Sequence, residues 1–161
     1  MAITKEKKEK IVSKFNDIVG GSKSIVFVKF HKLSVKDTTE LRKKLREESV
    51  GYTVGKKTLL KRALDGKTTG DMPILEGEIA IAYGTDLIAP AREVFNFQKE
   101  HKDGVKIVGG VFEGKFMTEA EMMSIATIPS REVLLSQIAF LLKSPMQRLA
   151  IAVNAVAGQK A

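Results

Sequence analysis

The sequence predicts an α+β fold, an α/β sandwich at the amino-terminal end followed by helices alone. Three observations carry this expectation. Helical and strand-like periodicities alternate from Lys5 to about Phe116, the strand-like runs are short, and only helical patterns follow. A length of 161 residues suits about one ordinary domain with an appendage. Apolar residues make up 43% of the chain and charged residues 29%, enough of each to bury a core and solvate its surface. A parallel, doubly wound sheet is the competing arrangement.

The elements follow in order. Ile11, Val12, Phe15, Ile18 and Val19 recur at helical spacing, so Lys5 to Val19 reads as an amphipathic helix with Gly20-Gly21 as its left-handed stop. Its first turn is basic and exposed, and carries Lys7 and Lys8. Ser24 to Phe30 is a β-branched and aromatic run of strand length. Ser34 with Asp37 has the form of a capping box, opening a helix to about Glu48 with Val35, Leu41 and Leu45 as its apolar stripe. Tyr52 to Gly55 alternates as a strand and turns at Lys56-Lys57 into a short helix, Thr58 to Leu64, with Leu59, Leu60 and Leu64 inward. Asp65 to Gly77 reads as a loop. Glu78 to Tyr83 is a strand, and Ala91, Val94, Phe95 and Phe97 fit a helix from Pro90 to His101. Val105 to Val108 and Val111 to Phe112 are short strands about Gly109-Gly110, with a hairpin turn at Glu113-Gly114. Thr118 with Glu121 caps a further helix. Ser130 opens a longer one, with Val133, Leu134, Ile138, Leu141 and Leu142 on its apolar side, and Lys143-Ser144-Pro145 interrupts it. The helices of the alternating part are expected on one face of the sheet.

Composition excludes several chemistries. Without Cys there is no disulfide, thiolate zinc site, iron–sulfur cluster or cysteine nucleophile. His31 and His101 are the only imidazoles and neither has helical metal-ligand spacing, so no metal or other cofactor is expected. Gly20-Gly21-Ser22-Lys23-Ser24 ends like a phosphate-binding loop but follows a helix and precedes a strand, the reverse of the required order. No apolar run approaches the roughly 18 residues of a bilayer span, and Met1 to Lys10 is charged, which together give a soluble cytoplasmic protein with no membrane partner as the expectation.

Charge is distributed unevenly. Met1 to Arg62 carries 17 Lys and Arg against 7 Asp and Glu, Ala63 to Glu132 carries 7 against 12, and Val133 to Ala161 carries 3 against none. A basic first third beside an acidic middle draws a polyanion to one side, and Arg mixed with Lys, without an aromatic stripe, favours nucleic acid over membrane. Lys56, Lys57 and Thr58 sit where a strand turns into a helix, so two ammonium groups and free backbone N–H groups converge on a phosphate-sized volume. Arg42, Lys43 and Arg46 on the preceding helix, with Lys61 and Arg62 on the following one, extend that patch. Few aromatic residues are available for base stacking, so shape and phosphates are the expected determinants. In the last segment Met146, Leu149, Ala150, Val153 and Val156 line one helical side while Ile151, Ala152 and Ala155 make the rest apolar too. Such a helix either folds back onto the core or is displayed for the groove of a partner.

Four runs, in order over nearly the whole chain, carry a resemblance: TELRKKLR from Thr39, YTVGKKTLLKRA from Tyr52, GVFEG from Gly110 and IATIPSREVLLSQI from Ile125. Together they resemble the bacterial ribosomal protein L-ten family, the stalk-base proteins of the large ribosomal subunit. The resemblance implies a ferredoxin-like α+β domain over residues 1–128 that binds large-subunit (23S-type) ribosomal RNA beside ribosomal protein L-eleven. It implies a connecting helix and hinge over 129–144, and a mobile terminal helix over 145–161 that carries two dimers of the acidic protein L-seven/L-twelve, which in turn recruit translational GTPases. On this reading the basic residues from Lys7 to Arg62 named above meet RNA, Met146 to Val156 meet the dimers, and the protein is a non-catalytic component of the cytoplasmic ribosome. Lys57 departs from the family pattern, which usually has Asn there, and keeps the local charge favourable. A free-standing regulatory RNA-binding protein and a small phosphotransfer or hydrolytic enzyme are the alternatives. The terminal helix discriminates the first, being superfluous to a simple RNA module.

Overall fold

The structure is a computed structural model that describes residues 5–31, 33–65, 68–70, 72, 73, 75, 77–101 and 104–160. Part of the loop expected over 65–77 lies outside the described residues. The chain forms two compact units, Met1–Ile128 and Pro129–Ala161.

In the first unit the element order is α1 (Lys5–Gly21), β1 (Ser24–Phe30), α2 (Val35–Glu47), β2 (Gly51–Val54), α3 (Lys57–Leu64), β3 (Ile79–Gly84), α4 (Ala89–Glu100), β4 (Val105–Phe112), β5 (Lys115–Thr118) and α5 (Glu119–Ala126). The five strands make one sheet in the order β2-β3-β1-β4-β5, with every pair antiparallel, so the doubly wound alternative is excluded. The units β1-α2-β2 and β3-α4-β4, with their strands ordered β4-β1-β3-β2, give the ferredoxin-like arrangement. Helix α3 replaces the usual tight connection between its two halves.

Helices cover both faces of this sheet, not one as expected. The cause is in the central strands, where Ile25 to Val28 and Ile79 to Ala82 are buried at every position and leave no face for water. On one side Leu41, Leu45, Val94, Phe97 and Met122 of α2, α4 and α5 pack on Val26, Val28, Ala80 and Ala82. On the other, Phe15 of α1 and Leu60, Ala63 and Leu64 of α3 pack on Ile25, Phe27, Ile79 and Ile81.

Three local expectations are corrected. Gly20 and Gly21 belong to α1 and neither has a positive φ, so they do not form a left-handed stop. Val35 is 82% exposed, because the buried stripe of α2 is set by Leu41 and Leu45 alone. The two short runs about Gly109-Gly110 are one strand, β4, in which Gly109 (φ 154°) absorbs a register shift opposite Phe27 and Val28. Glu113 and Gly114, at φ 49° and 78°, form the expected hairpin turn and lead into β5.

At α5 the capping box is complete. Thr118 accepts from the Glu121 backbone N–H, and the Glu121 carboxylate accepts from the Thr118 N–H and hydroxyl, each at 2.9 Å. Those hydrogen bonds hold the Glu121 carboxyl below its ordinary value of 4.5. A depressed folded value adds stability above pH 4.5 that is lost as pH falls through it. Thr118→Ala is expected to lower stability at neutral pH and to flatten this acid-side loss, which denaturant titrations at neutral and acid pH will measure. An unaltered pH profile in the variant would mean that the Thr118 hydroxyl adds nothing to the hold on the carboxylate, which then rests on the Thr118 backbone N–H alone.

The second unit is α6 (Arg131–Lys160), a single helix that passes through Pro145. This corrects the expected break at Lys143-Ser144-Pro145. Proline removes the N–H that would reach Leu141 and its ring crowds that carbonyl, and the Ser144 hydroxyl donates to the same Leu141 carbonyl at 3.0 Å. The orphaned acceptor is thereby satisfied and the helix continues.

Candidate nucleic-acid interface

Strand β2 is the sheet edge at which the basic residues gather. It follows α2, which lies on one face, and leads into α3, which lies on the other, so both helices flank the same edge. On the α2 side, Arg42 and Arg46 line a hollow of about 520 Å³ with Tyr52, Thr53, Val54 and Tyr83. The Arg42 guanidinium carbon stands 5.7 Å from the centroid of the Tyr52 ring, a cation–π distance that fixes its direction. Burial pushes the Tyr52 hydroxyl above its usual value of 10.0, with the Arg42 charge pulling the other way, so it is a neutral hydrogen-bonding group at physiological pH.

On the α3 side, Lys14, Lys56, Lys57 and Thr58 line a larger cleft of about 1130 Å³ that shares Thr53, Val54 and Tyr83 with the first hollow. The two meet across the edge strand. Lys56, the residue before α3, has extended backbone and no side-chain cap, and its carbonyl accepts from Leu59 and Leu60 at 3.0 and 3.1 Å. The first amides of α3, on Lys57 and Thr58, therefore have no intrahelical partner and face the volume in front of the helix.

Of the residues singled out from the sequence, the structure brings Arg42, Arg46, Lys56, Lys57 and Thr58 to this edge. Lys43 lies apart, in a shallow groove with Val35, Lys36, Thr39 and Glu40. Lys7 and Lys8 on α1, and Lys61 and Arg62 on α3, are exposed and line neither hollow. Among the described residues, none of these cations forms an ion pair. Lys44, in the same sequence cluster, is instead engaged by Glu100 at 2.7 Å and Glu40 at 3.5 Å, and Arg92 by Glu48 and Glu93, each at 3.1 Å. The Glu100 hydrogen bond holds the Lys44 ammonium above its usual value, a sign that its charge is already committed.

Sequence reading missed Lys14, Tyr52 and Tyr83 at this edge. Glycines were the available signal. A Cβ at Gly51 would collide with the Tyr83 ring and one at Gly55 with the Phe15 ring, so Gly51, which opens β2, and Gly55, which follows it, each let an aromatic ring lie over the chain.

In α6, Met146, Leu149, Ala150, Val153 and Val156 are all exposed, as are Leu135, Ile138, Phe140, Leu141 and Leu142, with large side chains from 54% exposed at Val156 to 76% at Leu142. The apolar surface therefore runs along the whole helix and not only its last half.

The model for ribosomal protein L10 matches residues 3–99, and that for the ribosomal protein uL10 C-terminal region matches residues 128–161. The large ribosomal subunit protein uL10 of Bacillus cereus is 40% identical over 99% of this chain and 97% of its own length. The same protein from Bacillus anthracis is 41% identical over 96% and 94%. The chain belongs to the ribosomal protein L10 family. Family membership makes it a structural, non-enzymatic constituent of the large ribosomal subunit, located on the cytoplasmic ribosome. The enzyme alternative is thereby removed, and the surfaces above are those of a ribosomal component.

Proposed function

We propose that the protein anchors the ribosomal stalk. Its β2 edge docks on large-subunit ribosomal RNA beside protein L-eleven, and α6 carries two dimers of the acidic protein L-seven/L-twelve that recruit translational GTPases. The observation that supports the RNA half is the set of cations, Arg42, Arg46, Lys56 and Lys57, that have no acidic partner among the described residues and stand around the uncapped start of α3. Phosphate is matched there by mobile charge and fixed amides together. Lys57 at the first position of α3 supplies an ammonium where the family usually has an amide, which strengthens the electrostatic part of the interaction and leaves the backbone donors in place. The exposed apolar length of α6 supports the stalk half and disfavours a free-standing regulatory protein, which has no use for it.

Replacing Arg46, Lys56 and Lys57 together with Ala is expected to weaken binding to the isolated ribosomal RNA fragment. It should also reduce the slope of log affinity against log salt by about 0.7 to 0.9 for each phosphate that is no longer neutralised. Titrations between low and moderate salt measure both. Unchanged affinity and slope would move the RNA face to another surface, such as the Lys7–Lys8 turn of α1.

A further inference from the structure

The cleft on the α3 side has an interior that phosphate recognition does not use. Its walls are Ile11, Ile18, Leu59 and Ile79, with the rings of Phe15 and Tyr83. Both rings are held over glycines, Phe15 over Gly55 and Tyr83 over Gly51, so the walls are preformed. A hydrated phosphate belongs at the rim, where Lys14, Lys56 and Lys57 stand, and gains nothing from apolar surface behind it. The same cleft holds Asp17 and Glu78, whose carboxylates would repel an anion entering the interior but can accept hydrogen bonds from an amino group. Apolar walls, a basic rim and carboxylate acceptors together describe a nucleotide, with its phosphate outside and its base within.

We infer that the cleft receives one unstacked nucleotide of the bound RNA, with its base against Leu59 and Tyr83 and its phosphate at the Lys56–Lys57 start of α3. The inference rests on the RNA-anchoring reading above and adds to it a base-specific element. A volume of about 1130 Å³ accommodates a base and its ribose, with room for water. Bases within an A-form helix are stacked and edge-on in a groove too deep to enter, so the occupant is a bulged or loop residue, for which extrusion costs least. The scarcity of aromatic residues in the sequence does not oppose this, since one ring at a preformed wall is enough for one base.

The test uses the full chain and the ribosomal RNA fragment, with each unpaired position replaced in turn by an abasic residue. Ile11→Trp fills the cleft from α1 without changing charge, and Leu59→Trp fills it from α3, so that a folding defect in one variant, seen as a lowered thermal midpoint, leaves the other to report. Each is expected to weaken binding of the intact fragment about tenfold with an unchanged salt slope, because the substitution removes base stacking and leaves the phosphates engaged. One abasic fragment should bind wild type about tenfold more weakly and be insensitive to both substitutions. If wild type binds the fragment but no abasic position is coupled to the cleft, or both variants bind as wild type does, the nucleotide pocket is overturned while anchoring through phosphates stands. If wild type does not bind the fragment at all, the anchoring reading itself falls.

Discussion

If α6 anchors the stalk as proposed, changing Leu149 and Val153 together to Asp is expected to leave at most one of the two proposed L-seven/L-twelve dimers bound, with any RNA binding by the first unit unchanged. Both residues are exposed on α6, four positions apart and so on one face. Covering a Leu or Val side chain contributes about 1.5 to 3 kcal/mol. Two carboxylates in the same interface forfeit that and add their own desolvation, so the loss exceeds about 5 kcal/mol, more than a thousandfold in affinity. Length bears on the number of dimers. The 30 residues of α6 span about 45 Å at 1.5 Å per residue, room for a short tandem and not for a long one. Charge sets the partner's sign: residues 133–161 carry three basic side chains and no acidic ones, which speeds encounter with an acidic protein. Native mass spectrometry of the mixed proteins gives the stoichiometry. Failure of wild type to form any complex at micromolar concentration would remove the stalk-anchoring reading.

Most elements of the fold were legible because their signals are local. The capping residues Ser34 and Thr118, the hairpin at Glu113-Gly114 and the stripe of Leu41 and Leu45 each act within a few residues of themselves. What was misread depends on distant chain. Helices on both faces follow from two continuous apolar strands, Ile25 to Val28 and Ile79 to Ala82, a pattern that locally signals strand and only in the assembled sheet signals strand buried twice. Gly20-Gly21 has the composition of a helix stop, yet the backbone there stays helical until the Ser22 N–H closes on the Ile18 carbonyl. At Pro145 the rule that proline ends a helix was overridden by one neighbouring hydroxyl.

The candidate interface was legible in part for the same reason. Lys56, Lys57 and Thr58 are contiguous, so a strand-to-helix turn was enough to place them together. Arg42 and Arg46 join them only because β2 is the edge strand, with α2 and α3 on opposite faces, which no local pattern states. Lys43 shows the converse: adjacent in sequence to Arg42, it points to another groove because successive helical residues are about 100° apart. Lys14 and Tyr83 entered the cleft through packing of α1 and β3 across long sequence separations, and only Gly51 and Gly55 hinted at the rings they accommodate.

The largest stability effect is expected at Gly110. It pairs with Val26 of β1 and Met117 of β5, in the strand that joins the sheet centre to its second edge. A Cβ there would overlap the Met122 methyl group and lie 2.5 Å from the Ile25 carbonyl oxygen. The methionine can rotate away, being flexible, but the carbonyl belongs to the β1 ladder and moves only with its strand. Gly110→Ala is therefore expected to cost about 2 to 3 kcal/mol, the range of an overpacked core and a large part of a total stability of about 5 to 15 kcal/mol. Two further glycines calibrate the result. Gly20→Ala, helical and with nothing within 4 Å, should stabilise by about 0.5 to 1 kcal/mol. Gly114→Ala, also in open space but at φ 78°, should cost about 1 kcal/mol through backbone strain alone. Both tyrosines, Tyr52 and Tyr83, lie in the first unit, so urea titrations followed by tyrosine fluorescence read its unfolding without interference from α6. Equal midpoints for Gly110→Ala and Gly114→Ala would mean that β1 and β4 yield to the added methyl, and that the close approach of Gly110 to the Ile25 carbonyl is not what fixes the centre of the sheet.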